Sequence, residues 1–246
     1  MRTLLKLTWV EIKLFIRDPL TLVFTIAFPV INLVVLAGVF GNTPDPEIFR
    51  GVGPIDYYVP AYIGLVLAAF GIVALPVHIT SYRERGILKR FRASSISVRA
   101  VLGSQLIVGS VISIASSILL IILAMLIYDV QFTQHFAIFI PAFLLGLLSM
   151  TAFGFFLGSV IPTTRAAQGI GIILLFLMMI LGGAGPPPEV LPDSMGTVGS
   201  FMPVKHVITL LQDLWLGFGW NTSVSLIVAG ILVGSTVISL RFFRWE

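Results

Sequence analysis

The chain of 246 residues contains no cysteine and few charged residues. Without cysteine it can form no disulfide, thiolate metal site or cysteine nucleophile. Asp, Glu, Lys and Arg make up 11% of the residues, against about 25% in an average soluble domain. So few ionised groups cannot cover a water-facing surface, and 57% of the residues are hydrophobic. The composition therefore predicts an integral membrane protein.

The sequence also lacks the motifs of common membrane enzymes and pumps. It has no HExxH zinc motif, and its three histidines are scattered at positions 78, 135 and 206. Neither GxSG nor GxSxG occurs, and no GxxxxGKS or GxxxxGKT loop is present to cradle a nucleotide. We therefore expect no catalytic residue, no metal site and no cofactor in this chain. Energy for any work must then come from another molecule.

Six segments lack Asp, Glu, Lys and Arg and are long enough to cross about 30 Å of hydrocarbon as helices. They are rich in leucine, isoleucine, valine and phenylalanine without the alternation of barrel strands, so helices are expected to satisfy the backbone in lipid. The predicted fold class is an all-α membrane protein in one transmembrane domain, residues 1–246. The predicted spans are residues 20–40, 57–80, 100–128, 137–161, 166–185 and 222–240.

The basic residues predict the orientation, because short loops rich in Lys and Arg remain in the cytoplasm. Six spans put both termini on one side, which then holds thirteen of the fifteen Lys and Arg; only Arg50 and Lys205 fall opposite. Seven of the eleven acids lie on the other side. We predict a multi-pass protein of the cytoplasmic membrane with both termini inside. The same bias explains the basic connector 81–99, so nucleic acid is not expected as a partner.

Residues 2–17, RTLLKLTWVEIKLFIR, predict an amphipathic helix in the inner headgroup layer. Four cations fall on one stripe at helical spacing, and apolar side chains cover most of the rest. Such a helix places its basic residues toward anionic membrane lipid, and Asp18–Pro19 breaks it before the first span. A helix packed on other parts of the protein is the alternative. The predicted interfacial residues are Arg2, Lys6, Trp9, Lys13 and Arg17.

The connector SYRERGILKRFRASSISVR, from Ser81 to Arg99, carries six cations and one carboxylate. The second span can continue into it and turn at Gly86, since glycine tolerates left-handed backbone. In ILKRFR, apolar and basic residues take opposite faces of a short helix. This pattern favours an ordered docking element on the inner face. A solvated loop whose charges only fix the topology is the alternative.

On these residues the chain resembles the ABC-type-2 permeases, membrane subunits of ABC exporters that include daunorubicin-resistance, polysaccharide and teichoic-acid exporters. The likeness covers the amphipathic start, the six spans and YRERGILKRFRASSISVRAVLGSQL. The last is similar to the family pattern Glu-x-x-Gly-Thr-Leu-x-x-Leu-x-x-Thr-Pro-x-Ser. Ile87 stands where Thr is common, and Ser95 where Pro is common. The matching positions are Glu84 or a neighbour, Gly86, Leu88, Phe91 and Ser97.

This resemblance implies a half-transporter with a separate motor. Two permease copies, identical or different, would pair and bind two cytoplasmic ABC ATPase subunits, which would hold the ATP and magnesium. The connector 81–99 would enter a groove of the ATPase as a coupling loop, and residues 2–17 would be the connecting helix. The residues implied in ATPase coupling are Arg83, Glu84, Arg85, Gly86, Leu88, Lys89, Arg90 and Phe91.

Residues 186–221 are predicted to form an external segment that re-enters the membrane edge before the last span. PPPEVLP cannot form regular helix because proline lacks a backbone donor, whereas residues 204–216 have helical apolar spacing, and Trp215 and Trp220 suit an interface. The family has a proline-marked external segment here, ending in a Pro-x-x-His pattern. The segment is either an exit gate or a lid packed on the helix ends. The gate residues are Pro187, Glu189, Pro192, Pro203 and His206.

An uncharged pathway suits export of a hydrophobic or amphiphilic substrate, such as a drug or lipid. Phenylalanine side chains in the predicted spans could line this pathway, although packing within the protein or contact with lipid is their commoner role. Export of polysaccharide or lipid-linked glycan is the second hypothesis. An ATP-independent channel or scaffold is the third, although the sequence shows no charged ring or broken-helix filter. The candidate path residues are Phe24, Phe28, Asn32, Phe153 and Phe156.

Overall fold

The computed structural model describes residues 2–41, 43–45, 47–93, 98–130, 132–133 and 135–242. In these ranges the chain is helical and has no strand. A short 3-10 turn, Pro188–Val190, precedes the eighth helix. The helices are α1 (Arg2–Ile16), α2 (residues 19–40), α3 (Pro54–Glu84), α4 (Ile87–Ala93), α5 (Val98–Tyr128), α6 (Phe136–Val160), α7 (Thr164–Gly182), α8 (Asp193–Gly199), α9 (Pro203–Trp215) and α10 (Thr222–Phe242).

Five of the described helices are long and apolar enough to cross a membrane: α3, α5 from Gly103, α6, α7 and α10. The first predicted span corresponds to α2, which contains a shorter apolar helix, Val23–Leu36. The predicted all-α membrane fold is confirmed. Wider π-helical turns lie within α2 at Val23–Ala27 and within α3 at Phe70–Ala74.

Local capping fixes helix ends that hydropathy places only approximately. Thr163 caps α7, because its side chain accepts a hydrogen bond from the Ala166 amide at 3.2 Å. The helix ends at Gly182, since Gly183 adopts a left-handed φ of 91°. The sequence prediction of 166–185 therefore ran three residues too far. Similarly, α3 begins at Pro54 rather than Tyr57, because proline suits the first helical position.

Helix α3 lies at the centre of the bundle, with 89% of its membrane-length stretch buried. It contacts α9, α2, α5, α6 and α7 along its length. At its π-helical turn it crosses α6 at very close range: a Cβ added to Gly71 would lie 2.3 Å from the Met150 carbonyl oxygen. A Cβ on Gly154 would lie 2.1 Å from the Gly71 oxygen. The crossing is thus backbone against backbone, as small residues allow between membrane helices.

The two ends of α3 define two ends of the molecule. At the hairpin end, α3 stops at Glu84 and α4 follows after a two-residue turn. At the opposite end, α3 starts at Pro54 and is covered by α9, whose Gln212 Nε2 donates to the Tyr57 carbonyl at 3.2 Å. We call these the hairpin end and the α9 end.

Candidate functional site

The connector after α3 is a compact helical hairpin. Arg85 and Gly86 form the turn, and Gly86 has a φ of 67°, which glycine adopts without steric cost. Leu88 on α4 is buried, while Arg85, Lys89 and Arg90 are exposed. The Phe91 side chain and residues 94–97, which include Ser95 and Ser97, lie outside the described residues. The hairpin thus buries one apolar anchor and presents basic side chains.

Arg83, in the last turn of α3, binds the carboxyl end of α6. Its Nη1 donates to the Gly158 carbonyl at 3.1 Å, and its Nη2 donates to the carbonyls of Ile161 and Pro162, the latter at 3.3 Å. The last carbonyls of a helix lack intrahelical partners and carry the negative end of its dipole. The guanidinium therefore satisfies and neutralises this end of α6.

Glu84 binds the amino end of the next helix, α7. Its Oε1 accepts from the Thr164 amide at 3.1 Å, and its Oε2 accepts from the Thr164 hydroxyl at 2.5 Å. Thr164 is the first residue of α7, where free amides and the positive dipole end favour a carboxylate. Two consecutive residues of opposite charge thus bind the ends of two helices. We call Arg83, Glu84 and the turn 158–164 the charge clamp.

The charge clamp divides the predicted coupling residues into two groups. Arg83 and Glu84 bind within the chain and tie the hairpin to the turn between α6 and α7. Arg85, Lys89 and Arg90 are surface residues. The hairpin is therefore joined to α6 and α7 through charge-assisted hydrogen bonds, which are stronger than neutral ones.

The helix α1 has one face packed on the protein and another exposed. Its buried face holds Thr8, Glu11 and Phe15, whereas Trp9 is 59% exposed. The Lys13 ammonium lies 5.0 Å from the centre of the Trp9 ring. Arg17 is exposed, and the side chains of Arg2 and Lys6 lie outside the described residues. The packed alternative therefore holds for one face, and contact of the exposed face with membrane lipid stays a prediction.

A buried carboxylate, Glu11, joins α1 to the hairpin end of α3. The Tyr82 hydroxyl donates to its Oε1 at 2.6 Å, and His78 Nδ1 lies 3.8 Å from its Oε2. Sequence reasoning missed this cluster, because it sought carboxylates only inside the predicted spans. Two features of the sequence could have indicated it. Glu11 is the single acid in residues 2–17 and falls opposite the cation stripe. His78 and Tyr82 are four residues apart and therefore share a helix face.

A second buried carboxylate, Asp213, lies at the α9 end. Arg50 Nη1 pairs with its Oδ1 at 2.9 Å, and Asn221 Nδ2 donates to its Oδ2 at 2.8 Å. The Arg50 guanidinium also lies 4.4 Å from the centre of the Phe218 ring. The sequence placed Asp213 in an external loop and gave no indication of this ion pair. The pair fixes the loop 47–53 to the end of α9.

The predicted gate residues lie in the segment before α9 and in the first turn of α9. Pro187 is buried, Glu189 and Pro192 are exposed, and Pro203 is the first residue of α9. His206 Nε2 lies 2.8 Å from the Ser200 carbonyl oxygen. Nearby, the Tyr58 hydroxyl donates to the Gly185 carbonyl at 2.7 Å, which ties this segment to α3. The apolar spacing predicted for residues 204–216 corresponds to α9.

The candidate path residues form two separate aromatic groups. Phe24 and Phe28 of α2 contact Phe176 of α7, with ring centres 6.4 and 5.3 Å from it. Phe153 and Phe156 form a pair within α6 at 5.8 Å. Asn32 Nδ2 donates to the Phe28 carbonyl of its own helix at 2.8 Å. The described ring contacts do not join the two groups.

Comparison with known proteins places this architecture in a family. The family model of the ABC-2 type transporter matches residues 2–216, which contain α1, the hairpin, the charge clamp and α9. The chain belongs to the ABC-2 type transporter family. Two similar proteins are named as transport permeases: YvfS of Bacillus subtilis and YhhJ, an inner membrane permease of Escherichia coli.

The two permeases are distant relatives of this ABC-2 family member. YvfS is 23% identical over 208 residues, which cover 84% of this chain and 82% of YvfS. YhhJ is 21% identical over 195 residues, which cover 76% of this chain but only 52% of YhhJ. The chain therefore spans about half the length of the second relative. The shared family supports a membrane transport subunit.

Proposed function

We propose that this chain is the permease subunit of an ATP-driven ABC exporter whose motor is a separate ATPase. The observation that carries the proposal is the hairpin: its basic residues Arg85, Lys89 and Arg90 are exposed, while Arg83 and Glu84 at its base bind α6 and α7. A hairpin that only fixed topology would need no such bonds. The family membership and the resemblance of residues 81–99 to a coupling loop support the same conclusion.

The mechanism we propose is mechanical transmission through the charge clamp. An ATPase groove of acidic lining would receive Arg85, Lys89 and Arg90, and its closure on ATP and magnesium would move α4. The buried Leu88 keeps α4 attached to the bundle. Since α3 is the central helix, its hairpin end would carry the motion to the neighbouring helices, and Arg83 and Glu84 would carry it to the turn between α6 and α7.

The proposed assembly contains two permease copies, identical or different, and two ATPase subunits in the cytoplasmic membrane. The hairpin end would be cytoplasmic, with both termini there, as the distribution of Lys and Arg predicts. The exposed side of α1, with Trp9 above Lys13 and Arg17 nearby, would lie against membrane lipid. The α9 end would then face outward, and the segment from Pro187 to His206 would line the exit.

The cargo we propose is amphiphilic or hydrophobic, of the drug or lipid kind. The aromatic group on α2 and α7 offers apolar contact, and the Asn32 amide is already bonded to its own helix. A hydroxyl-rich glycan would instead require several free hydrogen-bonding groups. Polysaccharide or lipid-linked glycan therefore remains the second candidate. Stimulation of ATPase turnover by each cargo class, measured in the purified complex, separates the two.

The decisive experiment is charge reversal on the hairpin surface. Replacing Arg85, Lys89 and Arg90 together by glutamate should reduce co-purification of the ATPase at least about tenfold, a loss of roughly 1.4 kcal/mol in binding. The matched control keeps the charge at the same three exposed positions, with Arg85→Lys, Lys89→Arg and Arg90→Lys. Both triple variants should insert into the membrane equally. Equal ATPase recovery with the two variants would contradict docking at the hairpin.

A further inference from the structure

A cleft opens at the hairpin end between α3, α6 and α10. Its volume is about 640 Å³, within the range of roughly 300–1,000 Å³ typical of small-molecule sites. It lies next to the charge clamp, because Arg83, Glu84 and Pro162 form part of its wall. It is separate from the two aromatic groups of the candidate path except for Phe156, which lines it.

One wall of the cleft is apolar and open to the side. Val160, Ile238 and Phe242 are 56%, 40% and 49% exposed, although each lies on a membrane-length helix. Ile238 and Phe242 are four residues apart and therefore lie on the same face of α10. On a spanning helix, such exposed apolar side chains face acyl chains rather than water. The cleft is therefore open along an exposed apolar side, where an acyl chain can enter it.

The other wall is polar and, together with its flanks, net basic. Arg83 and Glu84 contribute one charge of each sign. Exposed cations flank them: Arg165 directly follows Thr164, the residue that binds Glu84, and Arg241 precedes Phe242. Ser159, whose Oγ donates to the Phe155 carbonyl at 2.7 Å, adds one hydroxyl group to the lining. An apolar wall beside a net basic rim matches an anionic head on an acyl chain.

We propose that this cleft binds an anionic phospholipid of the leaflet at the hairpin end. Its phosphate would lie at the Arg83 edge of the cleft, on the side flanked by Arg165, and one acyl chain would follow Phe156, Ile238 and Phe242. The lipid would contact the residues that connect the hairpin to α6 and α7. Its binding would therefore act on the charge clamp and make coupling depend on membrane composition. The site belongs to the permease chain alone and does not depend on a motor.

The absence of cysteine makes the test direct. Ser159→Cys gives the chain one thiol beside the cleft, and its labelling by a maleimide is measured in detergent. Added phosphatidylglycerol at about ten times its dissociation constant should slow labelling roughly tenfold, because only the empty site reacts. Phosphatidylcholine of identical acyl chains should protect much less, and inorganic phosphate should not protect. These three probes separate an anionic lipid from a general acyl contact and from a free anion.

Matched controls make the result specific to the cleft. Ser235→Cys, on α10 and 7% exposed against 6% for Ser159, lies outside the cleft lining and should label at the same rate with and without lipid. In the Ser159→Cys chain, Arg165→Glu should reduce phosphatidylglycerol protection to the phosphatidylcholine level, whereas Arg85→Glu, an equal charge change on the hairpin, should not. Size-exclusion chromatography confirms folding of each variant.

Three outcomes would overturn the proposal. Equal protection of the thiol by phosphatidylglycerol and phosphatidylcholine would show that the cleft does not recognise the anionic headgroup. Equal protection of positions 159 and 235 would show a general lipid coat. Protection by inorganic phosphate alone would assign the rim to a free anion. Because no ATPase is present in these measurements, failure here leaves the hairpin proposal standing, and failure of the hairpin proposal leaves this one standing.

Discussion

Helices α3 and α10 are equally apolar by mean hydropathy, yet they occupy opposite environments. In α3, 89% of the membrane-length stretch is buried in the protein, whereas in α10 only 22% is buried. Lipid tails are as apolar as leucine, so a membrane offers no hydrophobic preference for one location over the other. Hydropathy thus identifies a span and leaves its neighbours undetermined.

Small residues and hydroxyl groups account for the difference between the two helices. In α3, Gly71 lets the backbone approach α6, and Tyr58 reaches the Gly185 carbonyl through its hydroxyl. In α10, a Cβ added to Gly230 or Gly234 would meet no atom within 4 Å. The same residue type therefore packs against backbone in one helix and faces open space in the other. Substitutions can test this contrast directly.

The largest loss of stability is expected for a substitution at the crossing of α3 and α6. Gly71→Ala would place a Cβ 2.3 Å from the Met150 carbonyl oxygen, which is backbone and cannot rotate away. We expect a loss of about 3 kcal/mol or more in unfolding free energy, at the upper end for overpacking. Thermal unfolding in detergent, followed by circular dichroism, measures it.

The matched substitution on the peripheral helix is Gly230→Ala. It adds the same methyl group to a helix interior where there is open space. Alanine is the better helix former by roughly 0.5–1 kcal/mol, so the melting temperature should stay the same or rise slightly. Equal destabilisation by the two substitutions would refute the contrast between the two helices.

An intermediate loss of stability is expected for a substitution at the α9 end of the central helix. Arg50→Ala leaves Asp213 buried without its cation, since the Asp213 side chain is 6% exposed. Fully buried pairs cost about 3–5 kcal/mol to break in this way. Arg50 is 30% exposed, so we expect about 2 kcal/mol. Adding Asp213→Asn should recover part of the loss, and a double-mutant cycle without coupling would contradict the ion pair.

The smallest of the three losses of stability is expected at the hairpin end of α3. Tyr82→Phe removes the hydroxyl that donates to Glu11 and leaves a buried carboxylate oxygen without this bond, at a cost of about 1–2 kcal/mol. The control is Thr236→Val on α10, whose hydroxyl is exposed and donates to the Leu232 carbonyl of its own helix. It should change stability by less than about 0.5 kcal/mol. A larger loss for Thr236→Val than for Tyr82→Phe would reverse the comparison.

Features encoded in a few neighbouring residues could be predicted from the sequence. The turn at Gly86 follows from a glycine between two helical patterns, and its φ of 67° has the expected sign. The apolar spacing after Pro203 predicts a helix where α9 lies. Polar contacts between distant segments could not be predicted: Glu11 lies 71 positions from Tyr82, and Arg83 lies 75 positions from Gly158. No local pattern encodes which of many side chains will meet.

The sequence by itself determined an all-helical membrane protein, because a chain this poor in charge must satisfy its backbone inside lipid. It also predicted the amphipathic start and favoured an ordered basic hairpin over a solvated loop, since both are periodic patterns within short segments. Only the tertiary structure decided that α3 is central and α10 peripheral, and that Arg83 and Glu84 bind neighbouring helix ends. The physical reason is that lipid and protein interior are equally apolar. Helix contacts are therefore chosen by backbone approach and hydrogen-bond geometry, which exist only after folding.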